Sequence, residues 1–198
     1  MVKKQRKDLV RRTASREYRS VCWKGTEGTT ERDYFSMTVF KQSPYAIKFP
    51  KDIHPNRRNP EAVLKRFKKA LSGSNFRKGD LAWLVVDVDN YSEAELQLLL
   101  DWEKERSSYH VAISNPKFEL FLVMHYEDGS GCTTPNAVDA ALKKHLKQYK
   151  KRLSPSQYSA SAINEACDRA EAKRRPCKRA IPDPGVTDVY QLVRHLKI

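Results

Sequence analysis

Four short apolar runs punctuate the first two-thirds of the chain, and segments with helical spacing of their apolar positions separate them. Arg19–Lys24, carrying Val21, Cys22 and Trp23, predicts a first strand closed by the turn Gly25-Thr26-Glu27-Gly28-Thr29. A helix is expected from about Thr30, with Tyr34, Phe35 and Val39 on its buried side. Ala46–Phe49, between Pro44 and Pro50, reads as a second strand. Asn59-Pro60 reads as cap plus first helical residue, opening a helix with Val63, Leu64, Phe67 and Leu71 on one face. Leu81–Val86 is apolar throughout, as suits a strand buried on both faces.

Ser92 predicts the cap of a helix to about Glu105, with Leu96, Leu99 and Leu100 inward, and Tyr109–Ile113 a fourth strand. Asn115-Pro116 repeats the cap-plus-proline device and predicts a helix through Phe118, Leu120, Phe121, Val123 and Met124. Helices are expected at about 136–151, at 156–173 and from Thr187, with no strand in this last third. The alternation predicts an α/β fold: a mostly parallel sheet of about four strands, helices on both faces, and a helical C-terminal extension. Residues 1–18 read as a basic flexible arm and 19–198 as a single domain, its core at about 19–126 and its helical part at about 136–198.

Charge sharpens this picture. The formal net charge of +14 is carried by the flanks: residues 1–19 hold eight Lys/Arg and 143–179 hold twelve, while 20–142 is about neutral. Such flanks attract polyanions, and Lys143, Lys147, Lys150, Lys151, Arg174 and Arg175 are candidate nucleic-acid contacts. Membrane binding is disfavoured: no run approaches the ~18 apolar residues of a span, and no basic segment carries a Trp/Phe-rich face. The start of the chain has no apolar signal core, and four cysteines without CxxC spacing argue against a disulfide framework or zinc knuckle. A cytoplasmic location is expected.

Candidate chemistry lies at strand ends. Asp87 and Asp89, one residue apart after an apolar run, share a side of an extended chain, and their mutual repulsion is relieved by a cation or a proton. The alternative is a turn and helix cap. Glu27 follows a different predicted strand, with Gly28 beside it allowing close approach. Strand ends in an open α/β sheet face the ligand crevice, and carboxylate oxygens there suit Mg²⁺ or Mn²⁺. Glu31 is the weaker candidate, since with Thr30 it can simply fill a first helical turn. Glu119 and His125 form a second tier beside Asn115, each with an ordinary helix-end alternative. Lys24 and Arg32 flank the first acidic spot as candidate phosphate contacts, though surface solvation accounts for either alone; Tyr149 and Tyr158 could stack on bases or pack in the core.

Strand–Glu27-Gly28 followed by strand–Asp87-Val88-Asp89 resembles the Toprim domain of topoisomerases, primases and several nucleases. Most of the chain resembles the RloB family of defence-associated proteins, through residues 27–35, 83–89, 112–125 and 187–193. One residue, Thr29, separates Glu27-Gly28 from Thr30-Glu31, where that family usually has two. The resemblance implies a Toprim/Rossmann-like fold and Mg²⁺- or Mn²⁺-dependent cleavage of nucleic acid in anti-phage defence. Asp87, Asp89 and Glu27 would hold the metal, Glu27 alternatively serving as base. It also implies an AAA/ABC-type ATPase partner. A non-catalytic nucleic-acid-binding or scaffold subunit is the competing expectation, and a homo-oligomer is open. A primase-type transferase would need a nucleotide pocket; there is no Gly-rich P-loop, and topoisomerase activity does not fit so short a chain.

Overall fold

The computed structural model of the protein describes residues 19–26, 28–50, 60–88 and 91–198. The predicted arm 1–18, Glu27 and Asp89 lie outside the described residues. Five strands form one sheet: Val21–Thr26 (β1), Ala46–Lys48 (β2), Leu81–Asp87 (β3), Tyr109–Asn115 (β4) and Val186–Thr187 (β5). Their order is β2-β1-β3-β4-β5; the first four run parallel, and β5 lies antiparallel on β4. Strand β3 is central, so its residues Ala82–Val86 are all buried.

Side-chain alternation along the strands divides the core in two. Cys22, Trp83, Val85 and Ala112 face one way. They meet Tyr34 and Phe35 of Thr29–Phe35 (α1) and the apolar residues of Glu119–Val123 (α4). Helices Pro135–His145 (α5), Ala160–Arg174 (α6) and Val189–Leu196 (α7) complete that layer. Ala82, Leu84, Val86, Val111 and Ile113 face the other way, against Pro60–Ser72 (α2) and Glu93–Lys104 (α3). Gly25 is required at this second interface: a Cβ there would stand 2.6 Å from Leu84 Cδ2.

Local chemistry explains the element ends. Pro60 opens α2, where its missing N–H costs nothing. Ser92 and Glu95 form a capping box on α3, each side chain bonding the other's backbone N–H. Thr134 and Ser159 cap α5 and α6 through the N–H groups of Ala137 and Ala162.

Three expectations are corrected. The last third does hold a strand, β5, whose two residues are too few to show alternation; Ser114 and Thr187 hydroxyls, 2.8 Å apart and buried, pin it to β4. The last helix accordingly begins at Val189, not Thr187. Asn115 does not cap a helix: it is the last residue of β4, its carbonyl accepting from Gly185 N–H and its amide donating to Pro182 O, and α4 starts only at Glu119.

Candidate active site at the carboxyl edge of the sheet

Strands β1 and β3 are neighbours, yet the helices that follow them pack on opposite faces, α1 in one core layer and α3 in the other. The switch point of the sheet, where open α/β sheets bind ligands, therefore lies at the carboxyl ends of β1 and β3. Asp87 ends β3 there, and its Oδ1 accepts the Phe118 N–H at 2.8 Å, which brings the head of α4 to the same edge.

Two further acids stand at this edge. Glu119, the first residue of α4, is buried and accepts the Tyr149 hydroxyl proton at 3.2 Å. Glu31 of α1 is 4% exposed, and its Oε2 is buried without a hydrogen-bond partner. Burial raises its carboxyl to about 7; its own and Gly28's backbone N–H and the Lys151 charge pull the other way, while the negative charge of Glu119 adds to the rise. Gly28 makes the geometry possible, since a Cβ there would stand 2.5 Å from Glu31 Oε2. The side chain can thus fold back over the start of its own helix.

A basic loop is strapped over these acids. The Thr30 hydroxyl lies 2.8 Å from the Tyr149 oxygen, so with the tyrosine proton on Glu119 the threonine supplies its own. Thr29 donates to the Lys151 carbonyl at 3.5 Å, and Thr30 Oγ1, its one proton turned to Tyr149, stands 3.4 Å from the same oxygen. Asp33 takes the Arg152 Nε at 2.8 Å and the Leu153 N–H at 3.3 Å. Lys151 itself adopts a left-handed backbone, with φ of 58°, a conformation a side chain pays for in steric energy.

The remaining candidates separate. Lys143, Lys147, Lys150, Lys151 and Arg175 are exposed, as a polyanion contact requires. Arg32 is half-buried and donates to the Pro50 carbonyl at 2.7 Å. Three assignments are corrected. Lys24 is not a surface cation: it is fully buried on the face of β1 that carries Cys22, with Nζ 3.5 Å from the Phe35 ring centroid and no hydrogen bond. Desolvation lowers its ammonium to about 7, opposed only by Cys22. Arg174 is turned inward onto Asp188 at 2.6 Å and the carbonyls of Cys177, Arg179 and Ala180. His125 sits in an aromatic cluster, stacked 3.9 Å from Tyr158. Burial holds its imidazole down to about 4, so Nδ1–H donates to Phe121 O and Nε2 accepts from Tyr34. Both ring nitrogens are occupied inside the core, which leaves none for proton transfer at the sheet edge. Among the described residues, no three His, Cys, Asp or Glu side chains form a group that could hold a metal ion.

Glu31 and Tyr149 are the contributors that sequence reasoning undervalued. The available signal was Gly28 at a helix start with Glu31 three positions on: no side chain to cap, and an acid free to fold back.

Fold and edge together define an α/β protein with Asp87 and the buried acids Glu31 and Glu119 at the switch-point edge of a mostly parallel sheet. The chain belongs to the RloB family: the family model described as RloB-like protein matches residues 25–196. Neither the curated proteins nor the solved structures gave a match. Among the described residues, no helix is long and apolar enough to cross a membrane.

Proposed function

We propose that this RloB-like chain is a Toprim-type, Mg²⁺- or Mn²⁺-dependent nuclease, acting in the cytoplasm as the effector of an anti-phage system with an AAA/ABC-type ATPase as partner. The observation that carries the proposal is the unpartnered, buried Oε2 of Glu31 at the same sheet edge as Asp87 and Glu119. A buried carboxylate oxygen without a partner is costly and marks a place where a cation, a proton or substrate completes the site.

The donors fit a hard divalent ion, being carboxylate oxygens only. Asp87, with Asp89 and Glu27 from the sequence, would hold it. Such an ion, when bound, neutralises phosphate charge and lowers the pKa of water. Glu31, poised near neutrality, can take a proton from an attacking water and return one to the leaving oxygen. Tyr149 fixes the orientation of Glu119, and exposed Lys147, Lys150 and Lys151 draw the polyanion towards the sheet edge.

The test is cleavage of end-labelled RNA and DNA by the protein with its co-encoded ATPase, with Mn²⁺ or with EDTA. Metal-dependent cutting lost in Asp87→Ala supports the proposal. Nucleic acid that is bound but left intact by the full assembly, with every metal tried, identifies a binding subunit instead.

A further inference from the structure

We infer that the cavity between the end of α5 and residues 146–157 is a binding site for one unpaired nucleotide of a nucleic-acid strand. The inference rests on the nuclease reading above and adds where the strand is gripped. The cavity measures about 460 Å³. That is within the ~300–1,000 Å³ of small-molecule sites, a size for a single nucleotide and not for a stacked duplex.

Its lining has the three chemistries a nucleotide needs. Leu146 and Leu153, half-buried and packed on the core, offer an apolar bed for a base. Gln148 and Gln157 line it with amides, each both donor and acceptor, the chemistry that reads a base edge, and the Gln157 oxygen also accepts from Ser154 at 3.4 Å. Lys147 and Arg152 supply charge for the backbone; the Arg152 side chain is 75% exposed even though its Nε reaches Asp33. Phosphate neutralisation by such residues is the sequence-independent part of strand binding.

The loop is also held ready. Left-handed Lys151 is an outlier for a side-chain-bearing residue, and it persists because Thr29, through the Lys151 carbonyl, Thr30, through Tyr149, and Asp33, through Leu153, clamp the residues around it to α1. Backbone strain maintained by surrounding contacts is a recurrent feature of ligand clamps. Tyr149 belongs to both places: it lines the cavity and its hydroxyl donates to Glu119. A nucleotide seated in the cavity therefore lies one side chain, Tyr149, away from Glu119, and the site selects single-stranded or looped nucleic acid.

The experiment uses fluorescein-labelled ten-nucleotide oligouridylate and oligothymidylate, with Ca²⁺ replacing Mg²⁺ so that turnover is blocked. Anisotropy is measured for the wild-type protein and for Lys147→Ala/Gln148→Ala, two exposed positions whose loss leaves the fold intact. In parallel, oligouridylate carrying 4-thiouridine is photocrosslinked and the site mapped by mass spectrometry. The expected result is a roughly tenfold loss of affinity in the double variant, the scale of one base contact, and crosslinks within residues 145–157. A blunt duplex of the same length should compete poorly, and the ratio between the two oligonucleotides distinguishes RNA from DNA. Unchanged affinity with crosslinks elsewhere overturns the cavity assignment and leaves the nuclease reading standing. No binding of either oligonucleotide at low ionic strength overturns both.

Discussion

Tyr149 donates its hydroxyl proton to Glu119 across 3.2 Å, joining a lysine-rich loop to an acid at the head of α4. The bond gives each partner what burial demands. Glu119 gains a donor in a place shielded from water, and Tyr149, its proton held on by burial and by the Glu119 charge, stays a donor at any physiological pH.

Tyr149→Phe keeps the ring and removes the hydroxyl. It is expected to cost about 1 kcal/mol in chemical denaturation, the usual worth of such a bond, and to loosen residues 146–153. Hydrogen–deuterium exchange should show faster labelling of that loop with α4 unaffected. Unaltered loop protection would mean that Thr29, Thr30 and Asp33 hold it without the tyrosine.

Glu31 predicts a pH dependence whose sign is opposite to that of a salt-bridged acid. Its folded carboxyl is raised to about 7, above its unfolded value of 4.5, so between these limits the folded state holds the extra proton. Stability is full below about pH 4.5 and is lost as pH rises towards 7, then levels. Glu31→Gln, neutral throughout, should remove that slope and be the more stable protein at pH 8, by an amount on the order of a few kcal/mol. Urea melts of both proteins from pH 5 to 8 check this, and parallel stability curves would contradict it.

Lys24 carries the converse signature. Its ammonium is lowered to about 7 from 10.5, so between these limits the unfolded chain binds the extra proton and stability rises with pH. Lys24→Met preserves much of the volume and the contact with Phe35 while removing a buried, unbonded amine. The variant should melt higher at pH 7, consistent with about 1–3 kcal/mol for an uncompensated buried polar group, and its advantage should shrink by pH 10. A variant that folds well but loses activity would instead assign Lys24 to the reaction.

Arg174 should behave as a structural residue. Asp188 is 4% exposed and relies on the guanidinium for its charge partner. Arg174→Ala is expected to cost about 3–5 kcal/mol, the penalty for stranding a buried charge, by loosening the junction of α6 with β5. Arg175→Ala, at an exposed neighbour, should leave stability unchanged. Equal melting temperatures for the two variants would contradict the assignment.

The parts of the fold written in local pattern were legible. The unbroken apolar run 81–86 and the Ser92 cap mark a central strand and a helix start, because neither depends on distant residues. What escaped depends on tertiary partners. The two residues of β5 become a strand only through pairing with Ser114 and Asn115. Lys24 reads as solvated until the alternation Cys22-Lys24-Thr26 is set against a core on that face. Asp87 is legible as a strand-end acid because it closes an apolar run; Glu31 ranked as the weaker candidate because an acid in a first helical turn is ordinary, and only its burial beside Glu119 distinguishes it. Glu27 and Asp89, the other two acids singled out in the sequence, lie outside the described residues.

The most direct measurement for the central claim is isothermal titration of Mn²⁺, at low ionic strength, into the wild-type protein and into Asp87→Ala/Asp89→Ala. Circular dichroism of the variant establishes that it is folded. Saturable binding in the wild type, lost in the folded variant, is the result predicted for a carboxylate metal centre at the edge of β3. Mn²⁺ binding of equal strength in both proteins would contradict that centre, and so would wild-type protein that binds no Mn²⁺ either alone or with the proposed ATPase partner and oligonucleotide present.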